Sequence, residues 1–255
     1  MLNLIKSWLE HPLTRGMSLD DPQTTARRLE VIRSKPFLSR LYAEWYRMIA
    51  AHFTPGAQVL EIGAGAGFLK EFMPGLITSE LFEVPGVDLV IDAAAMNLGT
   101  ATLDGMVMTD VFHHLPDCPR FFAEAARVIK PGGRIVMIEP WNTGWGRLIY
   151  QNLHHEPFQP TVTEWTFPPG GPLSTANGAL PWIVLARDRE EFSRRFPALQ
   201  IERIAPLMPI AYLISGGVSM RSLVPGWSYP IVRRLEKLCV ESQTGMFALI
   251  VINRV

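Results

Sequence analysis

Residues 58–67 read Gln58-Val59-Leu60-Glu61-Ile62-Gly63-Ala64-Gly65-Ala66-Gly67. The first five form a short apolar strand, and glycines at alternate positions carry the chain out of it towards a helix. In an open parallel sheet, ligands bind beyond the carboxyl ends of the strands. Glycines at such a place let the backbone turn sharply and approach a ligand that a Cβ would hold off. The spacing narrows the ligand. A dinucleotide fingerprint needs G-x-G-x-x-G, whereas here the third glycine comes one residue early and Phe68 stands in the expected place. A phosphate-binding P-loop needs Gly-Lys-Ser/Thr, which the segment lacks. Glu61, two positions before the first glycine, repels a pyrophosphate and suits a cationic ligand. The segment therefore reads as a ligand-binding turn, against the plainer alternative of a tight strand–helix connection.

Outward from this turn, the chain alternates between strands and helices. Leu76–Glu80, Val87–Ile91, Leu103–Met108 and Arg134–Ile138 read as further buried strands, and Asp117–Lys130 as an amphipathic helix stopped by Pro131-Gly132-Gly133. Largely apolar strands alternating with helices indicate a parallel sheet covered on both faces. Leu199–Ile204 alternates as a half-exposed strand, and Gly245–Ile252 reads as a central strand. Upstream, three helices are predicted: one around Leu2 to Leu9, one that Asp21 caps and Pro22 opens, and one from Pro36 to about His52. The chain is thus one domain: N-terminal helices over 1–52, a ligand-binding core over 53–140, an aromatic, Pro- and Gly-rich insertion over 141–190, and a completing segment over 191–255.

Composition supplies exclusions. The sequence has 255 residues with 24 Lys+Arg against 24 Asp+Glu, a net charge of zero that argues against a protein gripping nucleic acid through phosphates. No apolar run reaches the length of a membrane span; the longest, Ala205–Met220, is broken by Pro206, Pro209, Gly216 and Gly217. The N-terminus lacks the basic n-region and apolar core of a signal peptide. Two cysteines, Cys118 and Cys239, are too few for a disulfide framework. A cytoplasmic protein is expected.

The motifs taken together resemble the class I S-adenosylmethionine-dependent methyltransferases, in particular type 11-like members. Their first motif is (Asp/Glu)-x-Gly-x-Gly-x-Gly, matched by Glu61 to Gly67. Glu80 closes the second strand, Asp92-Ala93 the third, Thr109-Asp110-Val111-Phe112-His113-His114-Leu115 follows the fourth, and Arg127–Arg134 with Ile135–Pro140 matches the fifth-strand signature. The resemblance covers residues 57–140. It implies a Rossmann-like seven-stranded sheet, mostly parallel with an antiparallel final strand and helices on both faces, and S-adenosylmethionine as cofactor.

The same resemblance implies roles. Glu61 offsets cofactor charge or braces the loop, and Gly63, Ala64, Gly65 and Gly67 form the close-approach turn. Glu80 accepts from the ribose hydroxyls, Asp92 with Ala93 meets the adenine, and Asp110 lies at the cofactor's edge. Only 12 residues separate Gly67 from Glu80, so the intervening helix must be short. Tyr42 and Tyr46 either cover the cofactor or pack in the core.

On the acceptor side, His113 and His114 follow the fourth strand and carry the pKa range of a general base. The alternative is that one of them caps the loop. Asp110, His113 and His114 also resemble an acidic cluster of ubiquinone-pathway O-methyltransferases where a divalent metal sits; with a histidine in place of an acid, no metal is expected. Tyr150, His154 and His155, with Glu156 beside them, are predicted acceptor contacts in the insertion.

Aromatic residues crowd that insertion, favouring a hydrophobic, lipid-like or glycan-linked acceptor over nucleic acid, and O-methylation over other outcomes. The segment around Pro230 to Val240 reads as a helix with Ile231, Leu235, Leu238 and Cys239 on one face. Such a stripe is what a sheet-covering helix shows, and covering the sheet is its first reading; with Arg233, Arg234 and Lys237 beside the stripe, peripheral contact with the inner face of a membrane is its second. The rival to an enzyme is a non-catalytic S-adenosylmethionine-binding or membrane-docking module of the same fold.

Overall fold

A computed structural model describes residues 11–13, 22–65, 67–154, 156–168, 170–171 and 175–255. The helix predicted around Leu2 to Leu9, the cap at Asp21 and the candidate contact His155 lie outside the described residues.

Seven strands form one sheet: β1 (Val59–Ile62), β2 (Ile77–Glu80), β3 (Leu89–Val90), β4 (Leu103–Thr109), β5 (Ile129–Pro140), β6 (Leu199–Leu207) and β7 (Phe247–Arg254), in the order β3-β2-β1-β4-β5-β7-β6. β1, β2, β3, β4 and β5 pair in parallel, and β7 runs antiparallel to both of its neighbours, β5 and β6. All four residues of β1 are buried, as required of a central strand covered on both faces. Because the order reverses between β1 and β4, their carboxyl ends open a crevice, and the glycine turn and Asp110 both stand there.

Helix α1 (Pro22–Ser34) opens on a proline, where a missing N–H costs nothing. Helix α2 (Pro36–Ala50) buries Phe37, Leu38, Leu41, Tyr42, Trp45, Tyr46 and Ile49 along one face. Trp45 packs on Phe247 of β7 at 4.8 Å between ring centroids, which fixes α2 over the sheet. Helix α3 (Cys118–Val128) is capped by Asp117, which accepts from the Arg120 amide at 3.1 Å. It buries Phe121, Phe122, Ala125 and Val128, and Phe122 meets Phe192 at 4.9 Å. The insertion opens with α4 (Gly144–Leu153), continues as loop, and turns helical again at Leu180–Trp182 and through a π-helical stretch, Ile183–Arg187, that leads into α5 (Arg189–Arg195); beyond β6 come α6 (Ala211–Ser215) and α7 (Tyr229–Glu236). No helix among the described residues is long and apolar enough to cross a membrane.

Four expectations need correction. The strand predicted over Val87–Ile91 is only two residues long, and both are exposed, because β3 is the last strand on its side of the sheet. Pro131-Gly132-Gly133 does not stop the helix: α3 ends at Val128 and β5 begins at Ile129, with Gly132 at φ +84 and a register shift opposite Leu103/Gly105 absorbing the irregularity. After the glycine turn the chain makes a single 3₁₀ turn, Leu69–Glu71, so the expected helix shrinks to its minimum. Lastly, α7 does not cover the sheet. It buries Tyr229 and Glu236 against α2 and α6, while Ile231 and Leu235 are exposed.

Candidate active site

The glycine turn stands at the floor of a cleft of about 380 Å³, within the range of small-molecule sites, roughly 300–1,000 Å³. Glu61, Gly63, Ala64, Gly65, Gly67, Glu80, Asp92, Ala93, Asp110 and Tyr46 all line it, as does His114. The fold thus brings together every residue assigned to the cofactor from sequence. Gly63 sits at φ +66 with Val111 2.6 Å from where a Cβ would be, and a Cβ on Gly67 would lie 2.8 Å from the Ala64 carbonyl and 2.9 Å from the Tyr46 hydroxyl. Both positions exclude any side chain.

Electrostatics separate the acids of this cleft. Burial, reinforced by the charge of Glu80, pushes the Glu61 carboxyl up to about 8. Burial also raises Glu80, opposed by amide hydrogen bonds from Leu81 and Gly65 and by the charge of Arg28. Asp92 accepts from the Ala94 amide at 2.8 Å. Two acids whose pKa burial raises form a site that favours a cation, whose charge would draw both towards the ionised form. Two hydroxyl oxygens, Thr25 Oγ1 and Thr109 Oγ1, are buried in the cleft wall without a hydrogen-bond partner among the described residues. Such orphans fit a polar ligand.

The turn after β4 carries the second group. Asp110 holds a left-handed backbone, φ +62, rare outside glycine. Its amide donates to the Ile138 carbonyl at 2.8 Å. The next two amides, of Val111 and Phe112, both donate to Glu139 Oε1, at 2.9 and 2.8 Å. The other oxygen of Glu139 lies 2.8 Å from His113 Nδ1, and His113 Nε2 lies 3.4 Å from Glu156 Oε2. Burial works against charge on His113, but its hydrogen bonds to Glu139 and Glu156 raise its pKa well above the usual imidazole value. Burial likewise opposes charge on Glu156, but its bond to His113, with His114 and His154 nearby, holds it well below the carboxylate range. His113 is therefore an imidazolium between two acids. His114 differs: burial and then the charge of His113 push it down to about 3, and its Nδ1 lies 3.2 Å from the Thr175 carbonyl. Burial raises Asp110 to about 7; His113 opposes the rise, and Glu156 and Glu139 support it.

The described acceptor contacts, Tyr150 and His154, lie apart from the cleft. His113 does not line it; it is buried behind His114, its rings 4.2 Å apart by centroid. Tyr150 and His154 border a separate small cavity with Asp110 and Glu156, and Asp110 faces both spaces. The Tyr150 hydroxyl donates to the Met246 carbonyl at 2.8 Å, and its ring stacks on Phe158 at 4.9 Å. Donor atoms of His113, His114 and Glu156 fall within 4.8 Å of one another, the reach of a cation-binding set.

Four residues escaped the sequence reading or were read in another role. Glu139 appeared only as part of a strand motif, although an acid closing an apolar run, Ile135-Val136-Met137-Ile138-Glu139, is the available signal. Glu156 was read with His154 and His155 as a candidate acceptor contact, not as the partner of His113. Thr25 and Arg28 of α1 line the cleft, brought there by helix packing that no local pattern reveals.

A family model described as a methyltransferase domain matches residues 35–205. The chain belongs to that methyltransferase family. The match covers the whole core and insertion, and S-adenosylmethionine is the cofactor. Among curated proteins, the chain is 27% identical over 124 residues to a demethylmenaquinone methyltransferase of Symbiobacterium thermophilum, covering 38% of this chain and 49% of that one. It is 25% identical over 161 residues to a 2-methyl-6-phytyl-1,4-hydroquinone methyltransferase of Synechocystis, covering 54% and 49%. The chain spans about half the length of these curated relatives. Among solved structures, geranyl diphosphate C-methyltransferase from Streptomyces coelicolor superposes with a TM-score of 0.51 at 15% identity, covering 97% of this chain and 92% of that one. At that identity the likeness concerns the methyltransferase fold.

Proposed function

We propose that this methyltransferase acts on a hydrophobic, hydroxyl-bearing acceptor and that Asp110 takes the hydroxyl proton. The carrying observation is the position of Asp110: a left-handed aspartate at the crevice, lining the cofactor cleft beside His114. S-adenosylmethionine supplies an electrophilic methyl group on a sulfonium. This chain's part is then to orient the acceptor and remove its proton. Raised to about 7, Asp110 is matched to that task near neutrality. His114 is too weak a base, and His113 already holds its proton.

The insertion gives the acceptor's character. Phe167 of the insertion joins Leu115 and Pro116 in the cleft wall and adds apolar surface to it. The similar proteins named for demethylmenaquinone and for a phytyl hydroquinone support a lipid-like phenolic acceptor for this chain. A deprotonated phenol is nucleophilic at oxygen and at its ortho carbons. Oxygen is the first reading of the receiving atom; the names of these relatives favour ring carbon as the second.

The test is incubation with methyl-labelled S-adenosylmethionine and organic extracts or defined quinols. Label should enter the organic phase, and product NMR assigns the atom. Asp110→Asn should lower turnover by about 10²–10⁴-fold while S-adenosylhomocysteine still binds. Tight binding of S-adenosylhomocysteine with no transfer to any fraction would instead support the non-catalytic module.

A further inference from the structure

The segment from Arg221 to Val240 presents an unusual surface. Every exposed residue in it is apolar or basic. Leu223 (61% exposed), Trp227 (69%), Ile231 (51%), Leu235 (58%), Leu238 (82%) and Val240 (56%) are the apolar ones of consequence. Trp227, Ile231, Leu235 and Leu238 recur every three to four residues, so they share one face of α7 and its flanks. A water-soluble surface seldom collects so many large apolar side chains in twenty residues.

Charge on this segment is sorted with equal clarity. Its one acid, Glu236, is buried: its Oε1 accepts from the Ile210 and Ala211 amides at 2.7 and 2.6 Å, and its Oε2 from Arg233. Arg233 is turned inward as well, where Glu44 of α2 accepts from it at 2.7 Å. Arg234 and Lys237, by contrast, are exposed beside the apolar face. In a chain of zero net charge, the one acid of this segment is used inside the fold, while Arg234 and Lys237 face solvent.

We infer that this face docks on an anionic lipid surface, with Trp227, Leu235 and Leu238 entering the headgroup boundary and Arg234 and Lys237 meeting phosphate. An apolar face flanked by cations binds such interfaces through buried area plus attraction to anionic lipid. A tryptophan is suited to headgroup depth. Docking deepens the proposed function, on whose lipid-like acceptor its purpose rests, since such a substrate is collected from a bilayer.

The experiment is co-sedimentation of the full-length protein with vesicles of phosphatidylglycerol and phosphatidylcholine, against phosphatidylcholine alone. Binding is expected to the anionic vesicles at low salt, at least ten-fold weaker at 0.5 M salt or without phosphatidylglycerol. Leu238→Asp and Trp227→Ser, both surface changes, should each lower binding by about ten-fold. Trp227→Ser should also abolish the blue shift of tryptophan emission on vesicles. Unchanged S-adenosylhomocysteine affinity in the variants shows that they are folded. No binding to anionic vesicles at low salt would overturn the inference, as would binding indifferent to Leu238→Asp. So would a dimer that Leu238→Asp dissociates, which would give the face to a second copy of the chain. Transfer to detergent-dispersed acceptor is read separately, so failure to dock and failure to methylate are distinct results.

Discussion

Glu139 Oε2 and His113 Nδ1 meet at 2.8 Å with both side chains almost wholly buried, joining the carboxyl end of β5 to the turn after β4. Three donors depend on this one carboxyl group: the two amides of Val111 and Phe112, and the imidazolium. Glu139→Ala leaves all three in the interior without their acceptor. Breaking a buried ion pair by removing one partner costs about 3–5 kcal/mol. Urea unfolding should show a loss of that size. A loss below about 1 kcal/mol would mean that Glu139 does not hold the turn.

Gly67→Ala places a methyl group 2.8 Å from the Ala64 carbonyl and 2.9 Å from the Tyr46 hydroxyl. The turn must shift, and its amides with it. Calorimetric titration should show S-adenosylhomocysteine affinity lowered by about ten-fold or more, equivalent to about 1.4 kcal/mol, with the circular dichroism spectrum unchanged.

Glu61 gives the protein a pH dependence of defined sign. Its folded pKa of about 8 lies above the ordinary 4.5, so between those values the folded state binds more protons than the unfolded state. Its contribution to stability is fully present below pH about 4.5 and is lost as pH rises through about 8. Unfolding midpoints at pH 5, 6.5 and 8 should fall in the wild type and fall less in Glu61→Gln. A cationic ligand favours the ionised acid, so cofactor binding in this window should release a proton. Titrations in buffers of different ionisation enthalpy will register it.

Arg28 is the one lysine or arginine among the described residues lining the cleft. S-Adenosylhomocysteine carries a carboxylate that methylthioadenosine lacks. Arg28→Ala should weaken the former by about ten-fold, the scale of one charge-assisted hydrogen bond, and leave the latter unchanged. Equal losses for both would place Arg28 elsewhere in the site.

Glycine spacing and apolar runs pointed to a parallel sheet with a ligand-binding turn, and the order of the motifs supplied, by resemblance, the rest of the sheet and the cofactor. Glu80, Asp92 and Asp110 were assigned through that resemblance, and the fold brings them with Glu61 to one cleft. The protonation states were not legible. His113 and His114 are neighbours in sequence, yet one is held as a cation between Glu139 and Glu156 and the other is neutral and faces the carbonyl of Thr175. Nor could periodicity tell which side of α7 faces inward. Its apolar stripe and its buried Glu236 both suit a packed helix, and the decision rests on two amides of α6 and its approach that need an acceptor.

Glu156 belongs to the insertion, yet its carboxylate partners a histidine of the core. Further along, the same insertion is stitched to the same turn: the Asn177 amide donates to the His113 carbonyl at 3.0 Å, and that of Phe167 to the Pro116 carbonyl at 3.0 Å. The insertion and the turn that carries Asp110 are consequently one connected unit. Grafting a foreign insertion to change substrate would strand the imidazolium unless the donor sequence brought a carboxylate to the position of Glu156.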